Sequence, residues 1–103
     1  MTKVIRDGKV AVLVSKGYGA GWSTWRSVPE EFLFDEDIVH MVMRKEAPSD
    51  IKARVKEKWP DDYFGGVSGL VVEWVEKGTL FRINEYDGYE EIEYLGNQDW
   101  ITA

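Results

Sequence analysis

The sequence predicts an α+β fold, with residues 1–103 forming one domain in which an antiparallel-rich sheet packs against two helices. Three observations support this prediction. The short apolar run Val10–Val14 is typical of a strand that is buried on both faces and central in its sheet. Two segments with helical periodicity occupy the middle of the chain, and three β-rich runs joined by two-residue turns occupy its carboxyl third.

The composition excludes several classes of function. The chain has 103 residues, 13 Lys+Arg, 19 Asp+Glu and no Cys, and its net charge is −6. A chain of this length buries roughly 60–70% of its unfolded surface, which supports one core. Without cysteine there is no disulfide framework, thiolate metal site or Cys nucleophile. The acidic balance disfavours direct binding to a nucleic-acid backbone, which requires Lys and Arg.

The hydropathy pattern predicts a cytoplasmic protein. No apolar run approaches the roughly 18 residues that a membrane-spanning helix requires, and the amino end lacks the apolar core of a signal peptide. We therefore expect no membrane partner.

The middle of the chain contains the helical segments. Glu31–Phe34 is predicted to be a short strand, and Asp35 is a suitable N-cap for a first helix over about residues 36–46. A second helix is predicted over about residues 49–59, before Pro60. Its core-facing positions are Ile51, Val55 and Trp59.

The carboxyl third predicts a three-stranded meander. Its strands are Leu70–Glu76, Thr79–Tyr86 and Tyr89–Leu95, and its turns are Lys77-Gly78 and Asp87-Gly88. Two-residue turns would place Trp74 opposite Phe81, Ile83 opposite Ile92, and Arg82 between Glu73 and Glu93.

The loop after Val10–Val14 is the strongest candidate for a binding site. It has three glycines at alternate positions, followed by hydroxyl and indole side chains. Successive N–H groups in such a loop can bind phosphate. The spacing matches neither the dinucleotide-binding nor the P-loop motif. The structural alternative is a turn whose Trp22 and Trp25 pack on the core.

A second loop, around Tyr63 and Phe64, also combines aromatic residues with glycine. It is expected either to share a pocket with the first loop or simply to connect a helix to the sheet. The predicted ligand-binding residues are Lys16, Gly17, Tyr18, Gly19, Gly21, Trp22, Ser23, Thr24, Trp25, Tyr63 and Phe64. In this hypothesis Gly17–Gly21, Ser23 and Thr24 hold phosphate, Lys16 balances charge, and Tyr18, Trp22 or Trp25 stacks on a base.

The charge is unevenly distributed. Residues 44–58 contain six basic and three acidic residues, so this segment carries +3 and the remainder carries −9. The basic segment is a further candidate for balancing phosphate. The acidic residues form two groups, one around the first helix and one on the last hairpin: Glu30, Glu31, Asp35, Glu36 and Asp37, and Glu85, Asp87, Glu90, Glu91 and Glu93. This acidic surface would attract a basic partner protein, or it is an ordinary solvated face. Packing of the basic helix against the acidic hairpin of another copy would give a homo-oligomer.

The sequence contains no motif for catalysis, metal binding or a cofactor. His40 is the only histidine and has no Ser or Asp at a recognisable spacing, and Ser23 lacks the nucleophile-elbow motif. The pairs Asp35-x-Asp37 and Asp61-Asp62 lack the rest of a calcium loop. The sequence therefore predicts neither an enzyme nor a metal or cofactor protein.

Three stretches carry a resemblance: VAVLVSKGYGAGWSTW (10–25), Asp62–Gly66 with the strand that follows, and 85–103, which ends in DWITA. These resemble a group of small uncharacterised proteins of bacteriophages and some bacteria that share a VAVLxSxGxGAGWSTW-type block and a DW-x-TA ending. The resemblance implies an acidic accessory protein in the bacterial host cytoplasm. The resemblance also implies a role in inhibiting a host system, either by capturing a host protein or by sequestering a signalling nucleotide. No functional residue carries over.

The predicted function is non-catalytic binding or sequestration of a small anionic, nucleotide-like ligand. The alternative is an acidic inhibitor that binds a basic host (defence) protein. A carboxylate-based hydrolase is the third hypothesis.

Overall fold

The computed structural model describes residues 2–17, 19, 21–24, 29–61 and 65–94. Its larger sheet is antiparallel, with strand order β1-β2-β3. The three strands are β1 (Ile5–Arg6), β2 (Lys9–Ser15) and β3 (Leu70–Glu76). The predicted central strand is confirmed, and an α+β architecture is confirmed with it.

Strand β2 is buried on both faces, as its continuous apolar run predicts. Ala11 and Leu13 pack in a cluster formed with the helices. Val10, Val12 and Val14 pack in a separate cluster on the opposite face. Because its alternate side chains enter different clusters, β2 contributes to both cores. Each large aliphatic side chain that it buries contributes roughly 1.5–3 kcal/mol.

The second sheet is a hairpin of β4 (Phe81–Tyr86) and β5 (Tyr89–Tyr94). Its register is the predicted one, with Ile83 opposite Ile92 and Arg82 opposite Glu93. Asp87 and Gly88 have φ of 50° and 87°, and the positive φ at both positions indicates a type I′ turn, whose twist matches that of paired strands.

The predicted pairing of β3 with β4 is wrong. Trp74 lies opposite Ala11 rather than Phe81, and Glu73 lies opposite Val12 rather than Arg82. A type I′ turn requires positive φ at both central residues, and in Lys77-Gly78 only the glycine has it. The chain therefore leaves β3, and the single meander sheet becomes two sheets.

The hairpin covers the face of the larger sheet that the helices leave open. Phe81, Ile83 and Ile92 pack against the cluster that contains Val12 and Val75. The molecule thus has three layers: the β4–β5 hairpin, the β1-β2-β3 sheet and the helices.

Three α-helical segments follow β2: α1 (Glu31–Phe34), α2 (Glu36–Met43) and α3 (Pro48–Lys58). The predicted Asp35 cap is confirmed, because its carboxylate accepts a hydrogen bond from Ile38 N at 3.1 Å. Helix α2 ends before the predicted residue 46, since Lys45 adopts a left-handed φ of 58°. Ile51, Val55 and Trp59 face the core as predicted.

The strand predicted at Glu31–Phe34 is instead the helical turn α1. Phe32 packs in the cluster with the helices, and Phe34 packs in the cluster beneath the hairpin. Residues two apart share one face of a strand, but they point in nearly opposite directions on a helix. A helical turn therefore lets the two rings serve both cores.

Candidate functional site

The glycine loop is the segment from Lys16 to Trp25 that follows β2, and two of its described residues bind an internal carboxylate. Glu90, on β5, is completely buried. One carboxylate oxygen accepts from Ser15 N at 2.8 Å, and the other accepts from Ser23 N at 2.9 Å and from Thr24 Oγ1 at 2.8 Å. Three donors around one carboxylate form an anion site, but the anion belongs to the protein itself.

This arrangement corrects the role predicted for Ser23 and Thr24. Both were expected to hold the phosphate of a ligand, and both are bonded to Glu90. A bound phosphate would have to displace a buried carboxylate and leave it without these donors, which is costly. The described part of the loop therefore binds the hairpin.

Lys16 is also engaged within the protein. Its Nζ donates to the main-chain oxygen of Glu90 at 2.8 Å and lies 3.2 Å from a carboxylate oxygen of Glu73. The ammonium also lies 4.9 Å from the centre of the Tyr89 ring. Its ammonium group is thus occupied by internal partners, and the predicted role of balancing a ligand's charge is not supported.

Trp22 is a core residue. Its side chain is 1% exposed, its ring lies 5.1 Å from that of Phe32, and its Nε1 donates to Phe32 O at 2.6 Å. The expectation that Trp22 stacks on a base is wrong, and the structural alternative holds for this residue. Tyr18, Trp25, Tyr63 and Phe64 lie outside the described residues.

The glycines permit close approach of backbone segments. Gly19 has φ of 106° and donates its N–H to Asp87 O at 2.6 Å. A Cβ at Gly88 would overlap the Gly19 backbone, and a Cβ at Gly69 would lie 2.6 Å from Gly17 N. Gly21 is buried. The phosphate-binding role predicted for Gly19 is wrong, because its N–H already donates to Asp87 O. The same role for Gly17 and Gly21 stays a prediction.

Glu90 was absent from the predicted site, although the sequence holds a signal for it. The β4–β5 register places Glu90 on the same face as Ile83 and Ile92. That face is apolar and covers the larger sheet. A carboxylate on the inward face of a hairpin needs donors there, and the Ser and Thr that follow the glycines supply them.

The basic segment is partly neutralised by acidic residues at the start of α2, namely its N-cap Asp35 and Asp37 in its first turn. Lys58 lies 2.9 Å from Asp35 and 2.8 Å from Asp37, and Arg54 lies 2.6 Å from Asp37. Hydrogen bonds from Lys58 and Arg54 hold the pKa of Asp37 at about 2, below its ordinary value of 3.8. This part of the predicted basic cluster is a link between α2 and α3.

The outward face of the β4–β5 hairpin is the most distinctive exposed surface. Tyr86 is 78% exposed beside the turn. An open groove of about 260 Å³ lies here, lined by Asn84, Glu85, Tyr86, Tyr89 and Glu91. Aromatic side chains are enriched in surfaces that contact a protein, so the exposed Tyr86 marks this face as a candidate for such a contact.

The hairpin's one cation is held by its neighbour. The Arg82 guanidinium donates to both carboxylate oxygens of Glu93, at 3.0 and 3.2 Å, and Asn84 also donates to Glu93. The bonds from Arg82 hold the pKa of Glu93 below its ordinary value. The hairpin therefore presents a negative surface: Glu90 is buried, but the four other acidic residues of the hairpin outnumber its single Arg.

Two absences concern the described residues alone. No helix among residues 2–17, 19, 21–24, 29–61 and 65–94 combines the length and apolar character needed to cross a membrane. The same ranges contain no group of three His, Asp or Glu side chains arranged to hold a metal ion.

Comparison with known proteins gives no relative for this chain: no family model matches, and neither the curated proteins nor the solved structures yield a significant match. The resemblance drawn from the sequence remains a prediction.

Proposed function

We propose that this chain is a non-catalytic binding protein that presents the outward face of its β4–β5 hairpin to a basic surface of a partner protein. The observation that carries the proposal is the exposure of Tyr86, the most exposed large hydrophobic side chain in the described residues, within an acidic hairpin. A tyrosine offers a rigid ring and a hydroxyl, and it is enriched among residues that dominate binding energy.

The charge of the hairpin indicates the chemistry of the partner. Asp87 and Glu91 are exposed, and the Arg82–Glu93 pair contributes no net charge. A negative field around one aromatic anchor accelerates association with a positive surface and does so more strongly at low salt. The expected partner is therefore a protein with a basic patch that accommodates a tyrosine ring.

The donors of the glycine loop favour this proposal over a phosphate ligand in that loop. Ser23 N, Thr24 Oγ1 and Lys16 Nζ all have internal partners. The resemblance supplies the context included in the proposal, an accessory protein that acts on a bacterial host protein.

The test is affinity capture by the full chain. Immobilised protein is exposed to a bacterial lysate, retained proteins are identified by mass spectrometry, and each is purified and titrated against the chain. Tyr86→Ser and Glu91→Lys should each weaken binding about tenfold or more, which corresponds to ~1.4 kcal/mol. Asp61→Lys is the matched control, because it makes the same charge change at an exposed residue outside the hairpin.

Higher salt should weaken capture of a true partner. The proposal is wrong if every retained protein binds the hairpin variants and the Asp61→Lys control equally, or if binding does not respond to salt.

A further inference from the structure

We propose a second binding site, for a nucleoside monophosphate, on the helix-side face of the β1-β2-β3 sheet. The site is an open groove of about 330 Å³ lined by Arg6, Asp7, Lys9 and Trp74. It goes beyond the proposed function, because the β4–β5 hairpin packs on the opposite face of the sheet.

Strand pairing brings the residues of this groove together. A turn with φ of 51° at Asp7 and 76° at Gly8 joins β1 to β2 and makes Arg6 the cross-strand partner of Lys9. Trp74 pairs with Ala11, two residues along β2 from Lys9, so all these side chains share one face. Lys9 and Trp74 are therefore diagonal neighbours within reach of one ligand.

The groove contains two adjacent cations, Arg6 and Lys9. Like charges directly opposite each other on a sheet are destabilising. Among the described residues, none forms an ion pair with Arg6 or Lys9, although Asp7 lines the groove and Glu76 is the strand partner of Lys9. A bound anion between the two side chains would offset their repulsion.

A third cation lies beside the same turn. Lys77 N donates to Gly8 O at 2.9 Å, which places this exposed lysine next to the β1–β2 turn. Charge-assisted hydrogen bonds from Arg and Lys are the usual means of holding a phosphate. The three cations outnumber the two carboxylates beside them, Asp7 and Glu76, so this surface is locally positive in a chain of net charge −6.

Trp74 supplies a platform for a planar ring. One side of this half-buried side chain packs against the helix-side cluster, and the Arg6 guanidinium lies 5.9 Å from the ring centre. Nucleobases stack on indole rings and on guanidinium planes, typically by ~1–3 kcal/mol per base. The volume of the groove is at the lower end of ligand sites, which indicates one nucleotide.

The sequence alone could not identify this site. Arg6 and Lys9 flank a tight turn, and Trp74 belongs to a strand that pairs with β2 only in the folded protein. The ligand class is the one the sequence predicted, but the residues are different.

The test is an NMR titration of the full chain with adenosine monophosphate, followed through the Trp74 indole N–H. Separate titrations use inorganic phosphate and a glutamate-rich peptide. We expect a Kd of about 1 mM or tighter for the nucleotide, as suits an open groove. The Arg6→Gln, Lys9→Gln double variant should weaken nucleotide binding at least tenfold. Trp74→Leu lacks the indole reporter, so its titration is followed through the backbone amides of Gly8 and Lys9, and it should bind the nucleotide no more tightly than inorganic phosphate.

The matched control is Lys52→Gln with Lys56→Gln, which removes the same charge from the exposed face of α3 and should leave binding unchanged. Trp74 also touches the core, so if Trp74→Leu fails to fold for reasons unrelated to binding, the comparison of the two double variants decides the outcome. The proposal is overturned if the nucleotide does not shift the Trp74 resonance, if both double variants weaken binding equally, or if only the acidic peptide binds.

Discussion

Replacing Glu90 by alanine tests the central contact of the structure. The substitution removes the buried carboxylate that accepts hydrogen bonds from Ser15 N, Ser23 N and Thr24 Oγ1. It leaves the main-chain oxygen that accepts from Lys16 in place. The effect should therefore come from three donors that lose their acceptor.

The size of the effect follows from the burial of those donors. Leaving a buried donor unsatisfied costs about 1–3 kcal/mol. The bond from Ser15 N is buried and incurs this cost in full, whereas Ser23 and Thr24 are partly buried and water can reach them. We expect Glu90→Ala to lower the free energy of unfolding by about 3–4 kcal/mol, the sum of one full penalty and two smaller ones.

The assay is urea unfolding followed by circular dichroism, with thermal unfolding as a second measurement. For a domain of about 100 residues, a loss of this size lowers Tm by roughly 12–25 °C. Glu91→Ala is the matched control, since Glu91 is the exposed neighbour of Glu90, and it should change stability by less than about 0.5 kcal/mol. Glu90→Gln keeps one acceptor oxygen and should fall between the two.

Hydrogen exchange gives a readout specific to the contact. The amides of Ser15 and Ser23 should exchange faster in Glu90→Gln than in the wild type, while amides in α3 should change less. A loss of stability below about 1 kcal/mol for Glu90→Ala, or equal effects at positions 90 and 91, would refute the reasoning.

The remaining stability predictions concern a glycine and an ion pair. Gly88→Ala should destabilise the protein by more than about 2 kcal/mol in urea unfolding, because its Cβ would overlap the Gly19 backbone. Gly78→Ala is the control: Gly78 has the same φ of 87° but open space around it, so this change should cost only about 1 kcal/mol. Equal costs would contradict the close approach. Asp37→Asn should cost about 0.5–1 kcal/mol at pH 7, since this carboxylate is nearly half exposed. Because the folded pKa of Asp37 is depressed to about 2, the stability advantage of the wild type over Asp37→Asn should disappear as the pH falls from about 5 to 2. A pH-independent difference would contradict the ion pair.

The elements that the sequence predicted well are those specified by adjacent residues. The type I′ turn at Asp87-Gly88 sets the register of β4 and β5, because positive φ is accessible to Asp and Gly at low cost. The burial of β2 on both faces follows from its continuous apolar run. The Asp35 cap needs only its own next three residues.

The partner of β3 was not predictable in this way. Lys77-Gly78 resembles a hairpin turn in composition, but Lys77 would incur steric strain at positive φ, which Asp tolerates better. Strand β3 instead pairs with β2 along seven residues. That choice depends on which apolar faces can be covered together, and no local pattern encodes it.

The glycine loop shows why clustered donors alone do not identify a ligand site. Two amides and a hydroxyl directed at one point will bind an anion, whether the anion is a phosphate from solution or a side chain of the same protein. In this chain the anion is Glu90, which is separated from its three donors by 66 to 75 residues. Donors that bind a ligand and donors that bind a side chain of the same protein look the same in the sequence. The feature that distinguishes the two cases is a carboxylate on the inward face of another strand. Where such a residue is present, a structural contact is the first interpretation to test, and a ligand site is the second.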